Sequence, residues 1–261
     1  MKLKNIILTA TLSMTFMAMA QKPEQQYNFT IDISKPVASV NPAMYGIFFE
    51  DINFAADGGL YAELIKNRSF EFPDAFTGWQ PFGKVSIESE SPCFDRNPHY
   101  VRITNDGRLL RAGIDNEGFR GIGLKKDESY NLTFYARTKS AKPIKISVQV
   151  VRPDGSNPVV KTVNVSGSEW KKYSVEIKPA YTEAHNRIRL VVQERGTVDF
   201  DDISMFPANT WKNRPGGLRR DLAQALYDLN PGVFRFPGGC IIEGNSLATR
   251  YQWKNSVGPV E

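Results

Sequence analysis

The stretch Val233 to Gly244, VFRFPGGCIIEG, decides how the rest of the chain is read. A short apolar run ends in Pro237, Gly238 and Gly239 and then delivers Cys240, so a strand stops abruptly where its last side chains face open space. In a barrel of alternating strands and helices, the carboxyl ends of the strands are where chemistry sits. Pro-Gly-Gly taken alone is equally an ordinary loop, so the flanking sequence must decide.

Immediately upstream, Leu218, Leu222, Ala225, Leu226 and Leu229 fall on one face at helical spacing, with Arg219, Arg220, Asp221 and Asp228 off it. Asn230-Pro231-Gly232 stops that helix and leads into the strand. Far upstream, Met44 to Asp51, MYGIFFED, is a nearly continuous apolar run ending in two carboxylates. Such a run suits a strand buried on both faces, as in a parallel sheet covered by helices. Glu50 and Asp51 would then sit at a functional rim, although an isolated acid pair is also an ordinary solvated strand end. Before it, Phe29, Ile31 and Ile33 alternate with polar residues and predict a half-buried strand within 27–40, bracketed by Pro36 and Pro42. Residues 60–72 read as a short helix or an irregular segment.

Between the two apolar strands the character changes. From about Thr77 to Phe206 the chain is a series of short alternating runs: 85–90, 100–104, 130–137, 144–151, 159–165, 170–177, 187–193 and 198–205. Every second residue is apolar in Tyr130, Leu132, Phe134, Ala136 and in Ile144, Ile146, Val148, Val150, the period of a sheet with one buried face. Asn105-Asp106-Gly107 and Pro153-Asp154-Gly155 are turns. Eight such runs without a helix predict a β-sandwich of jelly-roll type. In the last run the alternation Val198, Phe200 slips phase to Ile203, Met205, which predicts a bulge at Asp201-Asp202. A solvent-facing bulge is the plain reading, and the same two carboxylates are candidate oxygen ligands for calcium.

Bulk properties limit the remainder. Met1 to Ala20 has Lys2 and Lys4, an apolar run from Ile6 to Phe16 and Ala18-Met19-Ala20, the pattern of a cleaved export signal. Its loss removes two lysines and no acids, taking the net charge from +5 to +3. Basic residues are scattered, so neither nucleic acid nor a membrane surface is an expected partner. Two cysteines, Cys93 and Cys240, fall in different predicted domains, which argues against a disulfide between them, and two histidines, His99 and His185, argue against a histidine-based zinc site. The expected organisation is a signal over 1–20, an N-terminal strand and first barrel strand over 21–76, an inserted sandwich over 77–208, and a barrel helix and second barrel strand over 209–261.

Met44 to Phe72, MYGIFFEDINFAADGGLYAELIKNRSFEF, and Arg214 to Glu261, which contains the opening stretch, together resemble the beginning of an α-L-arabinofuranosidase of glycoside hydrolase family 51. The inserted segment resembles a family 4 type carbohydrate-binding module. The resemblance implies an α/β plus all-β fold: the first strands of an incomplete (β/α)8 TIM barrel carrying an inserted jelly-roll sandwich. It also implies retaining hydrolysis of terminal α-L-arabinofuranosyl groups by two carboxyls roughly 5 Å apart. In the family those glutamates follow later strands, so the expectation here is no catalytic residue within the chain, although Glu243 and Glu261 are present. Glu50 corresponds to a glutamate that holds sugar hydroxyls, and Cys240 to a position lining the same pocket. Plant cell-wall polysaccharide or arabino-oligosaccharide is the implied partner, no cofactor is implied, and a periplasmic or extracellular location is expected. Two strands and a helix cannot close a barrel, and leaving their apolar side chains in water forfeits on the order of 20 kcal/mol.

A sugar-binding reading of the sandwich alone rests on its aromatics: Trp79, Phe82, Tyr100, Phe119, Tyr135, Trp170, Tyr173 and Tyr181. Tyr135 is the candidate for stacking a sugar ring, since it lies opposite Phe134 on the polar face of its strand. Core or edge packing is the competing role for each of them.

Overall fold

A computed structural model describes residues 26–108 and 111–258; the export signal expected over 1–20 lies outside the described residues. The chain divides into two units, 1–41 and 42–261. In the first, the described residues form no strand: 33–35 are a turn, and Phe29, Ile31 and Ile33 are all more than four-fifths exposed. The strand expected there is not observed. Alternation marks a face that suits burial, but a strand also needs a neighbour for its N–H and C=O groups, and no ladder forms on this segment.

In the second unit, β1 (Gly46–Phe48) runs parallel to a strand almost two hundred residues later, with Gly46 opposite Val233, Ile47 opposite Phe234 and Phe48 opposite Arg235. Between the two lies the sandwich. One of its sheets has the order β10 (Lys171–Ile177), β7 (Tyr130–Arg137), β12 (Gly196–Pro207), β4 (Tyr100–Asn105), β3 (Lys84–Glu88). The other has β2 (Trp79–Phe82), β5 (Ala112–Asn116), β11 (Glu183–Val192), β8 (Ile144–Val151), β9 (Val159–Val165), with β6 (Ile122–Leu124) paired to β11. The pairings between the named strands of the sandwich are antiparallel. The chain then forms α1 (Arg220–Asp228) and β13 (Val233–Arg235).

Alternation builds the core directly. Leu132, Phe134 and Ala136 of β7, Val101 and Ile103 of β4, and Val198 and Phe200 of β12 meet Ile114, Ile146, Val148, Ile188 and Leu190 from the facing sheet, all buried. Residues 60–72 are irregular, and Ile65 and Phe70 from this segment enter the same core, so the sandwich begins earlier than its first strand. The bulge lies where the phase slip put it: β12 loses register with β7 between Asp201 and Ser204, and Asp202 has φ 43°.

The strand pair, by contrast, keeps its apolar side chains in the open. Phe48, Phe234, Phe236 and Leu222 are each at least a third exposed. That is the outcome expected of two strands and a helix without further layers.

The bulge leaves a buried acid. Asp201 is fully buried, its Oδ1 accepts the Asp202 amide, and its Oδ2 has no hydrogen-bond partner. Burial first, then the Asp202 and Glu71 carboxylates, push its pKa up to about 8. A raised carboxyl pKa means that the folded state holds its proton longer than the unfolded chain, so stability falls as pH rises from near 3.8 to about 8. Asp201→Asn removes this acid. In a chelator-containing buffer the melting temperature of Asp201→Asn should exceed the wild-type value by a margin that widens from pH 5 to pH 9; parallel melting curves across that range would refute the assignment.

Candidate functional site

Strands β1 and β13 stop at the same level. Their ladder continues through Phe49 N–H to Arg235 O and Asp51 N–H to Pro237 O, both 2.9 Å, so Glu50 and the turn 237–239 end side by side. Alternation then sorts the side chains. Phe49 contacts Phe234 and Phe236, with ring centroids 6.2 and 5.7 Å apart, on one face. Phe48 and Glu50 share the other, where the Arg235 guanidinium lies over the Phe48 ring at 4.9 Å.

The glycines of the turn make room for this second group. Gly238 has φ +147°, and a methyl group there would lie 2.6 Å from Glu50 Cγ. The Gly239 amide donates to Glu50 Oε1 at 3.3 Å. A methyl group on Gly239 would lie 3.6 Å from Phe48 Cζ, 3.8 Å from Arg235 Nη2 and 4.0 Å from Glu50 Oε1, so a ring, a cation and a carboxylate converge on this turn. Cys240 follows at once, exposed and with a free thiol, at the start of a one-turn helix, Cys240–Glu243. Glu50 and Cys240, named from the sequence, are therefore brought to one rim. Phe48 and Arg235 were not named, although the two-residue period from Glu50 back to Phe48 points to that face.

This set can hold a small polyhydroxylated ligand: a carboxylate accepts hydroxyl protons, a guanidinium donates, and a ring offers an apolar face. General acid–base chemistry at a sugar needs two carboxyls bracketing one bond. Asp51 is the next carboxylate along, and its Oδ1 is engaged by the Ala56 amide at 3.1 Å. Glu243 is on the one-turn helix, and Glu261 lies outside the described residues.

The sandwich aromatics are mostly committed. Trp79 and Tyr100 are buried, and Tyr173 stacks on Phe134 at 5.6 Å. Trp170 carries the Arg137 guanidinium at 4.4 Å, and Tyr181 carries that of Arg152 at 5.0 Å. Phe119 meets Phe54 edge to face at 5.3 Å. Tyr135 is half-buried, with the Phe94 ring edge-on at 5.0 Å and the Lys172 ammonium at 5.1 Å. On the opposite sheet a polar row unmarked in the sequence crosses four strands in register: Gln80, Asp115, Arg189 and Gln149. Arg189 grips Asp115 through two bonds of 2.6 and 2.7 Å and lies 5.4 Å from the Phe82 ring centroid, and the buried Oε1 of Gln149 has no hydrogen-bond partner. Only the strand register aligns these four positions.

The calcium candidates fit a cation in part. Asp201 Oδ2 is an orphaned buried oxygen and Asp202 is adjacent, yet Arg68 Nε lies 3.4 Å from Asp202 Oδ1. Among the described residues no three His, Cys, Asp or Glu side chains are grouped as metal ligands, so main-chain oxygens and water would have to complete the shell.

Comparison with known proteins matches a carbohydrate binding domain family to residues 62–199 and an α-L-arabinofuranosidase 1 domain to residues 225–261. An extracellular exo-α-L-arabinofuranosidase of Streptomyces chartreusis is 34% identical over 254 residues, covering 90% of this chain and 30% of the relative. α-L-Arabinofuranosidase 1 of Arabidopsis thaliana is 31% identical, with coverage of 92% and 38%. The solved structure of an arabinose-bound family 51 α-L-arabinofuranosidase superposes with a TM-score of 0.75 at 30% identity, over 86% of this chain and 39% of that one. The chain thus spans about a third of the length of these relatives and aligns with their N-terminal part.

The two thiols provide a direct check of the rim. Cys240 is exposed and Cys93 half-buried, so a thiol reagent should react in a fast and a slow step, and Cys240→Ser should remove the fast one. Loss of the slow step instead would place Cys240 away from solvent and refute the rim geometry.

Proposed function

This chain belongs to the carbohydrate binding domain family and carries it on sequence homologous to the N-terminal part of family 51 α-L-arabinofuranosidases, and from that premise we propose that it supplies the sugar-holding wall of such an enzyme. The observation that carries the proposal is the junction of Glu50 with the Gly239 amide, which sets a carboxylate, Arg235, Phe48 and Cys240 around one turn. In this reading the two strands are the first of a (β/α)8 barrel. Glu50 accepts hydroxyl protons of a terminal arabinofuranosyl ring and Cys240 lines its pocket. The acid/base and nucleophile of a retaining mechanism come from outside the chain. The substrates are arabinan or arabinoxylan, and the protein works after export.

The corresponding test is hydrolysis of a chromogenic α-L-arabinofuranoside by residues 21–261. No turnover above buffer is expected; substantial turnover would place catalytic carboxyls within the chain, contrary to the proposal, and its loss in Glu50→Gln or Glu243→Gln would name them.

A second reading places carbohydrate binding in the sandwich, favoured by the family match over 62–199. Affinity electrophoresis of the chain in arabinan and arabinoxylan should show retardation that Tyr135→Ala weakens if the Tyr135 face binds sugar and Gln149→Ala weakens if the polar row does. Unretarded migration in every gel would remove this role. Asp201 and Asp202 are weak calcium candidates, because they offer only two side-chain ligands and Arg68 lies against one of them. If they hold the ion, millimolar calcium raises the wild-type melting temperature and leaves Asp201→Asn unmoved, whereas an equal response from both proteins excludes Asp201.

A further inference from the structure

The sandwich is joined to the strand pair by two segments, inbound 60–68 and outbound 203–219, and hydrogen bonds cross between them along their length. Tyr61 forms an antiparallel bridge with Leu218. The Ala62 amide donates to Gly217 O at 3.2 Å, and the Arg219 amide to Leu60 O at 2.8 Å. Nearer the sandwich, the Leu64 amide donates to Met205 O at 2.9 Å and the Ile203 amide to Arg68 O at 3.0 Å.

Glu63 sits inside this stem, only 3% exposed. Its Oε1 accepts the Leu64 and Ile65 amides of its own segment, each at 3.0 Å, and the Met205 amide of the other at 2.8 Å. Its Oε2 accepts the Ser204 hydroxyl at 2.6 Å, with Arg68 Nη1 at 3.9 Å. A buried carboxyl is costly unless its oxygens are occupied, and here two of the four donors belong to the opposite segment. Glutamine or an apolar side chain would spare the desolvation cost, so a carboxyl at this place is notable for what it ties together.

The link continues to the rim. Between Glu50 and Glu63 the chain is turned on itself by Ala56 N–H to Asp51 Oδ1, Leu60 N–H to Ala55 O and Tyr61 N–H to Ala56 O. Phe54 from this turn meets Phe119 of the sandwich, and Gly58 lies so close that a methyl group there would be 2.2 Å from Phe119 Cγ. A flexible tether is rich in unpaired glycine and serine; Gly58 and Gly59 are packed, and Gly216 in the outbound segment stands in open space.

We propose that Glu63 is a positioning residue, a buried latch that ties the inbound to the outbound segment and holds the sandwich as a rigid extension of the rim formed by β1 and β13. Whatever binds on the sandwich is then presented to the rim at a fixed distance and orientation, instead of being tethered at an average concentration.

The two native cysteines make this measurable, because Cys93 belongs to the sandwich and Cys240 to the rim. Spin labels on both should give a narrow distance distribution in the wild type. Glu63→Ala should broaden it and speed exchange of the Leu64, Ile65 and Met205 amides about tenfold, while amides of Ile146 and Val148 in the sandwich core stay as slow as before. Glu63→Gln keeps an acceptor at Oε1 and should restore the narrow distribution. A broad distribution in the wild type, no broadening in Glu63→Ala, or equal acceleration in the sandwich core would each overturn the latch. If Glu63→Ala does not fold, Ser204→Ala, which removes only the hydroxyl reaching Oε2, must produce the stem acceleration in milder form, and its absence overturns the proposal equally.

Discussion

A domain inserted between a strand and the helix that follows it must leave and return at nearly the same point, and the bridge between Tyr61 and Leu218 is where this chain meets that requirement. Everything else depends on it. Because the two segments pair, α1 returns beside the point of departure and β13 can lie parallel to β1 in the register Gly46 to Val233. Because β13 lies there, Glu50 and the Gly238-Gly239 turn share one rim. An insertion whose ends diverged would separate these strands and abolish the site, with no change in any residue of the rim.

The sandwich keeps its charges off its core by pairing them on the sheet surfaces. Asp199 receives Arg102 at 2.7 Å and Arg137 at 3.0 Å, and the Tyr100 hydroxyl bonds both arginines. Asp115 plays the same part for Arg189 on the other sheet. Such pairs, with Asp199, Asp115 and Arg137 buried, hold position more than they add stability. They also lay guanidinium groups over aromatic rings, as Arg137 does on Trp170, which takes those ring faces from any ligand. The ring faces of Trp170 and Tyr181 are thus taken up by guanidinium groups, and buried polar atoms without a hydrogen-bond partner remain at Gln149, Arg152 and Asp201. At Asp201 in the bulge and Glu63 in the stem, burial pushes the carboxyl above its usual range, Asp201 to about 8 and Glu63 to about 7.

The sequence alone determined the periodic strands: β7, β8 and β9 begin and end where alternation says, because a sheet with one buried face imposes period two on its side chains. It also marked the bulge, the helix before β13, and Glu50 and Cys240 as rim residues. It did not mark β2, β5 or β6, whose proline, glycine and polar residues hide the alternation: Trp79–Phe82 contains Gln80 and Pro81, Ala112–Asn116 contains Gly113 and Asp115, and Ile122–Leu124 contains Gly123. Only the tertiary structure decided which strands are neighbours, that Phe48 and Arg235 join Glu50 at the turn, that Phe94 and Lys172 lie against Tyr135, and that Glu63 spans the stem. The physical reason is the same in each case: local pattern reports which face of a segment suits burial, whereas a partner dozens of residues away, or almost two hundred in the case of Phe48 and Arg235, leaves no mark on a two-residue or four-residue period.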